Sequence, residues 1–213
     1  MKILFYFLLL LFVGCDNNQS KQQTITQIKD NNHLYAVELI KQLEGYANKP
    51  YNAYEGGFAK YVCYGNRVDE YKSMYNTYNI TKENCDDMIN RKVDEYEQIM
   101  LKDNLILENA NQHGAVLSLI YNIKNNYSAF KKTRLHKYLQ YNPSNKKAII
   151  KEWMEFGKVN NNYDDALLAR RVNELINFIY NDENEPELKK IIVEEAKKHS
   201  QTLKIEFVEV IDN

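Results

Sequence analysis

In Glu44-Gly45-Tyr46-Ala47-Asn48-Lys49-Pro50-Tyr51, a helical pattern stops at a glycine and leaves a carboxylate on its last turn. Upstream, Asn32 is a candidate N-cap, and Leu34, Val37, Ile40 and Leu43 follow at three-residue steps while Glu38, Lys41 and Gln42 face away. Gly45 supplies the C′ residue that can turn left-handed. A carboxyl held at that end sits beside the negative pole of the helix dipole. Desolvation by aromatic neighbours would add to the same effect, and both disfavour ionisation. A general acid working near neutral pH requires such an environment.

The chain around this stretch has 213 residues, enough for one domain with a full core or for two small lobes. Its 44% apolar and 27% charged residues exclude wholesale disorder. With 7 glycines and 3 prolines there are few turn residues, which favours helices over a β-sandwich. The 17 tyrosines accompany an equally marked excess of asparagine and read as compositional bias rather than a stacking surface.

Residues 1–14 stand apart. Lys2 precedes an unbroken apolar run from Ile3 to Val13, too short to span a bilayer but suited to the core of an export signal. Phe12-Val13-Gly14-Cys15 resembles a bacterial lipobox, with Phe where Leu is usual. Cleavage before Cys15 and lipidation of its thiol are the expectation, with residues 15–32 as a polar tether. The chain is then lipid-anchored in the cell envelope, facing the periplasm or the wall, as a monomer. Loss of residues 1–14 removes only Lys2 from 28 basic residues against 29 acidic ones, so the charge stays near neutral. There is no basic patch for nucleic acid, nor a positive field to steer the protein onto an anionic wall. A membrane tether would replace such steering.

Cys63 and Cys85 have one intramolecular pairing available in an oxidising compartment, with two buried free thiols as the alternative. His33, His113, His136 and His199 show no ligand spacing with one another or with the cysteines, so no metal and no cofactor are expected.

Beyond Tyr51, tyrosine, phenylalanine and valine mixed with Gly56-Gly57 and Gly65-Asn66 predict a small antiparallel sheet to about Tyr78. Thr81 then caps a long helix carrying Cys85, Met88, Ile89, Val93, Tyr96 and Met100 on one face, long enough to join two lobes. Asn111 to Ile123 is apolar almost all round and predicts a buried central helix. Amphipathic helices follow: one around Leu135, Tyr138 and Leu139; one capped by Asn142 with Pro143 at its first position, running to Gly157; one from Asp164 to Tyr180; and one opened by Pro186. Leu203 to Phe207 alternates as a strand does.

The ordered series resembles the phage-type lysozymes, glycoside hydrolase family 24, over about residues 34–180. It rests on Glu44-Gly45 with Tyr51, Tyr64-Gly65, and Asn111-Gln112 with Ala115, Ser118 and Asn122. Phe130 with Thr133-Arg134-Leu135, Trp153, and Leu168-Ala169-Arg170-Arg171 with Glu174 complete it. The resemblance implies a mostly helical α+β fold, with a small β lobe and a larger helical lobe joined by a long helix. Residues 33–182 would form this domain, followed by a helix-strand extension over 183–213. It also implies peptidoglycan glycan strands in the cleft, cleaved at the β-1,4 bond after N-acetylmuramic acid. Glu44 matches the family's acid; Tyr61, Tyr64, Tyr121, Asn122 and Thr133 are the residues expected to bind sugar, and Arg170 and Arg171 match a pair expected to meet carboxylates.

Two positions depart from the pattern of the family. Ala53 stands where the family has an Asp, and Tyr61 where it has a Thr; the following His is here Asn66. Three consequences remain open. Glu55 could replace the lost carboxylate, since positions 53 and 55 of an extended segment share a face roughly 7 Å apart and an inverting hydrolase holds its carboxyl groups roughly 6.5–9.5 Å apart. Alternatively, one Glu could serve as acid and then base while the sugar's own 6-hydroxyl attacks, as in lytic transglycosylases. Or the fold binds glycan without turnover. Hydrolysis through Glu44 is the leading expectation.

Overall fold

The computed structural model describes residues 31–52, 59–75, 79–123, 127–200 and 202–205. The signal, most of the tether with Cys15, the segment containing Ala53, Glu55 and Gly56-Gly57, and residues 206–213 lie outside the described residues. Helix α1 covers residues 31–44. Asn32 is therefore inside the helix rather than capping it.

The buried face of α1 is also rotated from the expected one. Leu34 is 58% exposed, while Tyr35, Ala36, Val37, Leu39 and Ile40 are buried. Tyr35 sets that rotation, because its hydroxyl donates to Asn177 Oδ1 at 2.6 Å and accepts from Asn111 at 2.8 Å deep in the helical lobe. Gly114 makes room for the ring: a Cβ there would lie 2.6 Å from Tyr35 Cδ1.

Strands β1 (Ala47–Asn52), β2 (Lys60–Cys63) and β3 (Asn66–Arg67) form an antiparallel sheet in the order β1-β2-β3. The turn from β2 to β3 is tight, with Cys63 (φ 58°) and Gly65 (φ 75°) both left-handed. The sheet ends sooner than the sequence suggests, because Val68–Tyr75 is helix α2. Asp69 and Glu70 favour its N-terminal turn, Tyr71 supplies its buried face, and the Tyr71 and Tyr75 rings meet at i,i+4, 4.9 Å apart.

Helix α3 (Lys82–Lys102) starts as expected, with Thr81 accepting a bond from Asn84 N–H, and buries the whole predicted stripe. The Cys63–Cys85 disulfide ties β2 to its first turn, so the pairing alternative is the one realised. α4 (Ala110–Asn122) is the buried central helix, capped by Asn109. α5 (Tyr127–Phe130) and α6 (Arg134–Tyr141) lead to α7 (Lys146–Met154). The cap of α7 is Asn145, whose side chain accepts from Ala148 N–H, so Asn142 and Pro143 belong to the preceding turn. A 3-10 turn, Glu155–Gly157, and a hairpin of β4 (Lys158–Val159) and β5 (Asn162–Tyr163) then reverse the chain. Asn160 and Asn161, both left-handed, make the hairpin turn.

α8 (Asp165–Phe178) packs along α4, and α9 (Glu185–His199) covers α7 and α8 through Leu188, Ile192 and Ala196. Residues 203–205 are not in a strand. The architecture is the mostly helical α+β fold with a small antiparallel sheet, and none of its described helices is long and apolar enough to cross a membrane.

Candidate active site

Glu44 ends α1 where the helix meets the sheet. Gly45, left-handed at φ 68°, donates its N–H to Lys41 O at 3.0 Å and closes the helix, and β1 starts two residues later. The Glu44 side chain is 11% exposed, with Oε1 2.8 Å from Arg170 Nη1 of α8. This is an ion pair out of hydrogen-bonding alignment, leaving Oε1 without a hydrogen bond. The other oxygen faces the β2–β3 turn, where a Cβ on Gly65 would come within 2.7 Å of Oε2. The expected helix end and burial are therefore joined by a full positive charge, which acts against desolvation.

Arg170 is held from behind. Its Nε donates to Glu174 Oε1 at 3.1 Å and its Nη2 to Ser118 Oγ at 3.3 Å. Arg171 binds the same carboxylate, with Nη2 donating to Glu174 Oε1 at 3.0 Å and to Asn122 Oδ1 at 2.9 Å, and Nε 2.9 Å from Oε2. Ser118 and Trp153 donate to Glu174 as well, at 2.9 and 3.0 Å. Spacing on α8 brings 170, 171 and 174 onto one side of the helix. Two guanidinium groups and two carboxylates form a balanced set, which burial requires. Burial pulls Arg171 down to about 10, despite Glu174. At Arg170 burial acts in the same direction, but Glu44 and Glu174 outweigh it and hold the group above its usual value.

The sheet contributes aromatic rings. Tyr51 pairs in register with Tyr61, their centroids 6.1 Å apart, and Tyr51 is 40% exposed. Burial raises the Tyr51 hydroxyl above its ordinary range, and the negative charge of Glu44 adds to the shift. Tyr46, also exposed, packs 5.6 Å from the ring of buried Tyr64. Tyr61, Asn66, Tyr96 and Tyr121 line a cavity of about 270 Å³ beside Gly65.

The remaining expected sugar-binding residues are occupied by the fold. Tyr64 donates its hydroxyl to Asp86 at 2.7 Å, and Tyr121 donates to Tyr64 O at 2.7 Å, tying the central helix to the sheet. Asn122 Oδ1 accepts from Arg171. Thr133 caps α6, accepting from His136 N–H and donating to Phe130 O. Glu55 lies outside the described residues. Sequence reasoning missed the contact of Arg170 with Glu44, the hub role of Glu174, and Tyr46. Two adjacent arginines on a core-facing helix were the available signal, since buried cations demand anions.

The small sheet and the helical lobe thus meet over a buried glutamate at a helix end. The chain belongs to the phage lysozyme family, whose pattern matches residues 41–174. That membership supports a peptidoglycan-acting, glycosidase-type role. Among solved structures, the chain is similar to the muramidase domain of SpmX from Asticaccaulis excentricus, at 20% identity over 68% of this chain and 94% of that one, with a TM-score of 0.49. A search of curated proteins returned no match.

Proposed function

We propose that the protein cleaves peptidoglycan glycan strands at the β-1,4 bond after N-acetylmuramic acid, with Glu44 as the general acid. The observation that carries this reading is the seat of Glu44: buried at the seam of the two lobes, between Arg170 and Gly65. In the reacting form Glu44 carries a proton in place of its ion pair with Arg170, and gives it to the glycosidic oxygen as the bond breaks. The carboxylate left behind meets a guanidinium already in place, so its charge is stabilised without reorganisation. Tyr46 and Tyr51 offer exposed ring faces on the sheet side, suited to the apolar faces of sugar rings.

The attacking oxygen is the open step. In hydrolysis a water attacks, helped by a second carboxylate, for which Glu55 is the candidate. A second reading is favoured by the Tyr51–Tyr61 pair, which puts an aromatic ring at the position where the family has a threonine. There the sugar's 6-hydroxyl attacks, and Glu44 acts as acid and then base, as in a transglycosylase.

Mass spectrometry of peptidoglycan digested with the full chain in detergent, beside its Glu44→Gln variant, tests both. Glu44-dependent products with reducing muramic ends establish hydrolysis, and anhydromuramic ends establish transglycosylation. Turnover that persists in Glu44→Gln removes Glu44 from the reaction. Binding to the sacculus without any product would make the protein a glycan binder.

A further inference from the structure

At the opposite end of α1 from Glu44, three metal-ligating side chains converge on one point. His33 Nδ1 lies 3.2 Å from Glu97 Oε2 and 3.6 Å from Asp94 Oδ1, and all three atoms lie within 4.8 Å of one another. Glu97 is buried and Asp94 is exposed at the rim. Asp94 and Glu97, three apart on α3, share a face.

The tautomer of His33 is fixed by its other neighbour. Asn90 Nδ2 donates to Asp86 O at 2.6 Å, so Asn90 presents its carbonyl oxygen to His33 Nε2, 3.1 Å away. His33 Nε2 therefore carries a hydrogen and donates. Nδ1 faces both carboxylates, within hydrogen-bonding distance of Glu97 Oε2 at 3.2 Å and 3.6 Å from Asp94 Oδ1, so a cation can take the place of the Nδ1 proton and meet all three groups at once.

We propose that His33, Asp94 and Glu97 form a site for a divalent first-row transition metal of the zinc class, outside the cleft. For bonds of 2.0–2.2 Å, the ligand-to-ligand edge of a zinc tetrahedron is about 3.3–3.6 Å; the two edges at His33, 3.2 and 3.6 Å, match it, and the third, between Asp94 and Glu97, lies within 4.8 Å. A proton on Nδ1 serves this geometry less well. It bonds Glu97 at 3.2 Å, longer than the roughly 2.7–2.9 Å usual for a charge-assisted bond, and meets Asp94 only as an ion pair at 3.6 Å.

The surroundings also resemble an outer coordination shell. Asn90 holds the distal nitrogen of the imidazole, and His113 Nε2 sits 3.0 Å from Glu97 Oε1, so the ligating carboxylate is itself hydrogen-bonded. The sequence hid this site because its ligands come from two helices far apart in the chain. The ion pins the His33 turn of α1 to α3, and so steadies the helix whose C-terminal end carries Glu44.

Isothermal titration of the untagged full chain in detergent with zinc chloride, repeated with cobalt for its visible absorption, tests the assignment. One equivalent should bind, with a tetrahedral cobalt spectrum. His33→Gln should abolish binding, Asp94→Asn should weaken it, and Asn90→Ala should weaken it by about 10–100-fold through the outer shell. Asp94 is on the surface, so its variant reports even if others fold poorly. The assignment is overturned if no metal binds at millimolar zinc, or if binding survives both His33→Gln and Asp94→Asn and so comes from another group. A nitrogen NMR signature of a doubly protonated His33 that zinc does not displace would also overturn it.

Discussion

The two lobes hold Glu44 by different means. The helical side fixes it with buried charge: Arg170, Arg171 and Glu174 lie in a closed set of ion pairs and hydrogen bonds roofed by Trp153 and Ser118. The sheet side fixes it with shape: a left-handed glycine turn against the carboxylate, a disulfide behind the turn, and tyrosines facing outward. The residues that match the phage lysozyme pattern are concentrated in the first half, and Tyr61 and Asn66 depart from it in the second. Under the proposed function, the side that holds the acid follows the family while the side proposed to meet the attacking oxygen and the sugar does not.

Breaking the helical half should have the largest effect. Glu174→Gln leaves Arg170 with one buried anion and Arg171 with none. Removing one partner of a buried pair costs about 3–5 kcal/mol, to be read as a fall in the denaturant midpoint, with activity lost together with the seat of Glu44. A variant of wild-type stability would show that the network is dispensable.

Breaking the sheet half should cost slightly less. The Cys63–Cys85 bond closes a loop of 22 residues, and its loss should destabilise by about 3 kcal/mol in the chain-entropy account. Denaturant titration with and without a reductant measures it. Hydrogen exchange should place the first loosening in β1 to β3 while α4 and α8 stay protected.

At the seam, Gly65→Ala sharpens the comparison because it touches the acid from the sheet side alone. The new Cβ would fall 2.7 Å from Glu44 Oε2, at a φ of 75° that alanine rarely adopts. The carboxylate must move. A displacement of about 1 Å costs roughly 100-fold in turnover, while unfolding stability should fall by only about 1 kcal/mol. Equal loss in both measurements would mean that the turn, rather than the acid, had been damaged.

How far the sequence foretold this follows the same division. Long one-faced helices were legible: the stripe on α3 is buried whole, and α4 and α8 bury nearly all that their periodicity predicts, with Ile123 and Leu167 half-buried, because many positions vote together. Short elements were not. Val68–Tyr75 reads as strand because tyrosine suits both states, and the two-residue strands of the β4–β5 hairpin carry no period. On α1 the spacing was helical, but one tyrosine reaching Asn177 rotated the face. Glu44 was legible from its glycine stop; its counter-charge was not, since no local pattern links it to α8.

The smallest predicted effect concerns a charge cluster whose cations are not all arginine. Asp103, at the C-terminal cap of α3, is paired with Lys131 and accepts from His136 Nε2 at 2.6 Å and Tyr127 OH at 3.0 Å. Burial acts to raise this carboxyl, but the bonds from Lys131, Tyr127 and His136 outweigh it and hold it below the usual range. A depressed carboxyl stabilises the fold above its unfolded value of about 3.9 and loses that contribution as pH falls through the lower folded value. Wild type should therefore exceed Asp103→Asn by about 1 kcal/mol above pH ~5, and the two curves should converge in stronger acid. Parallel curves would mean that Asp103 owes its place to helix capping alone. Its charge would then add nothing to the helical half, whose electrostatic support would lie in the arginine network beneath Glu44.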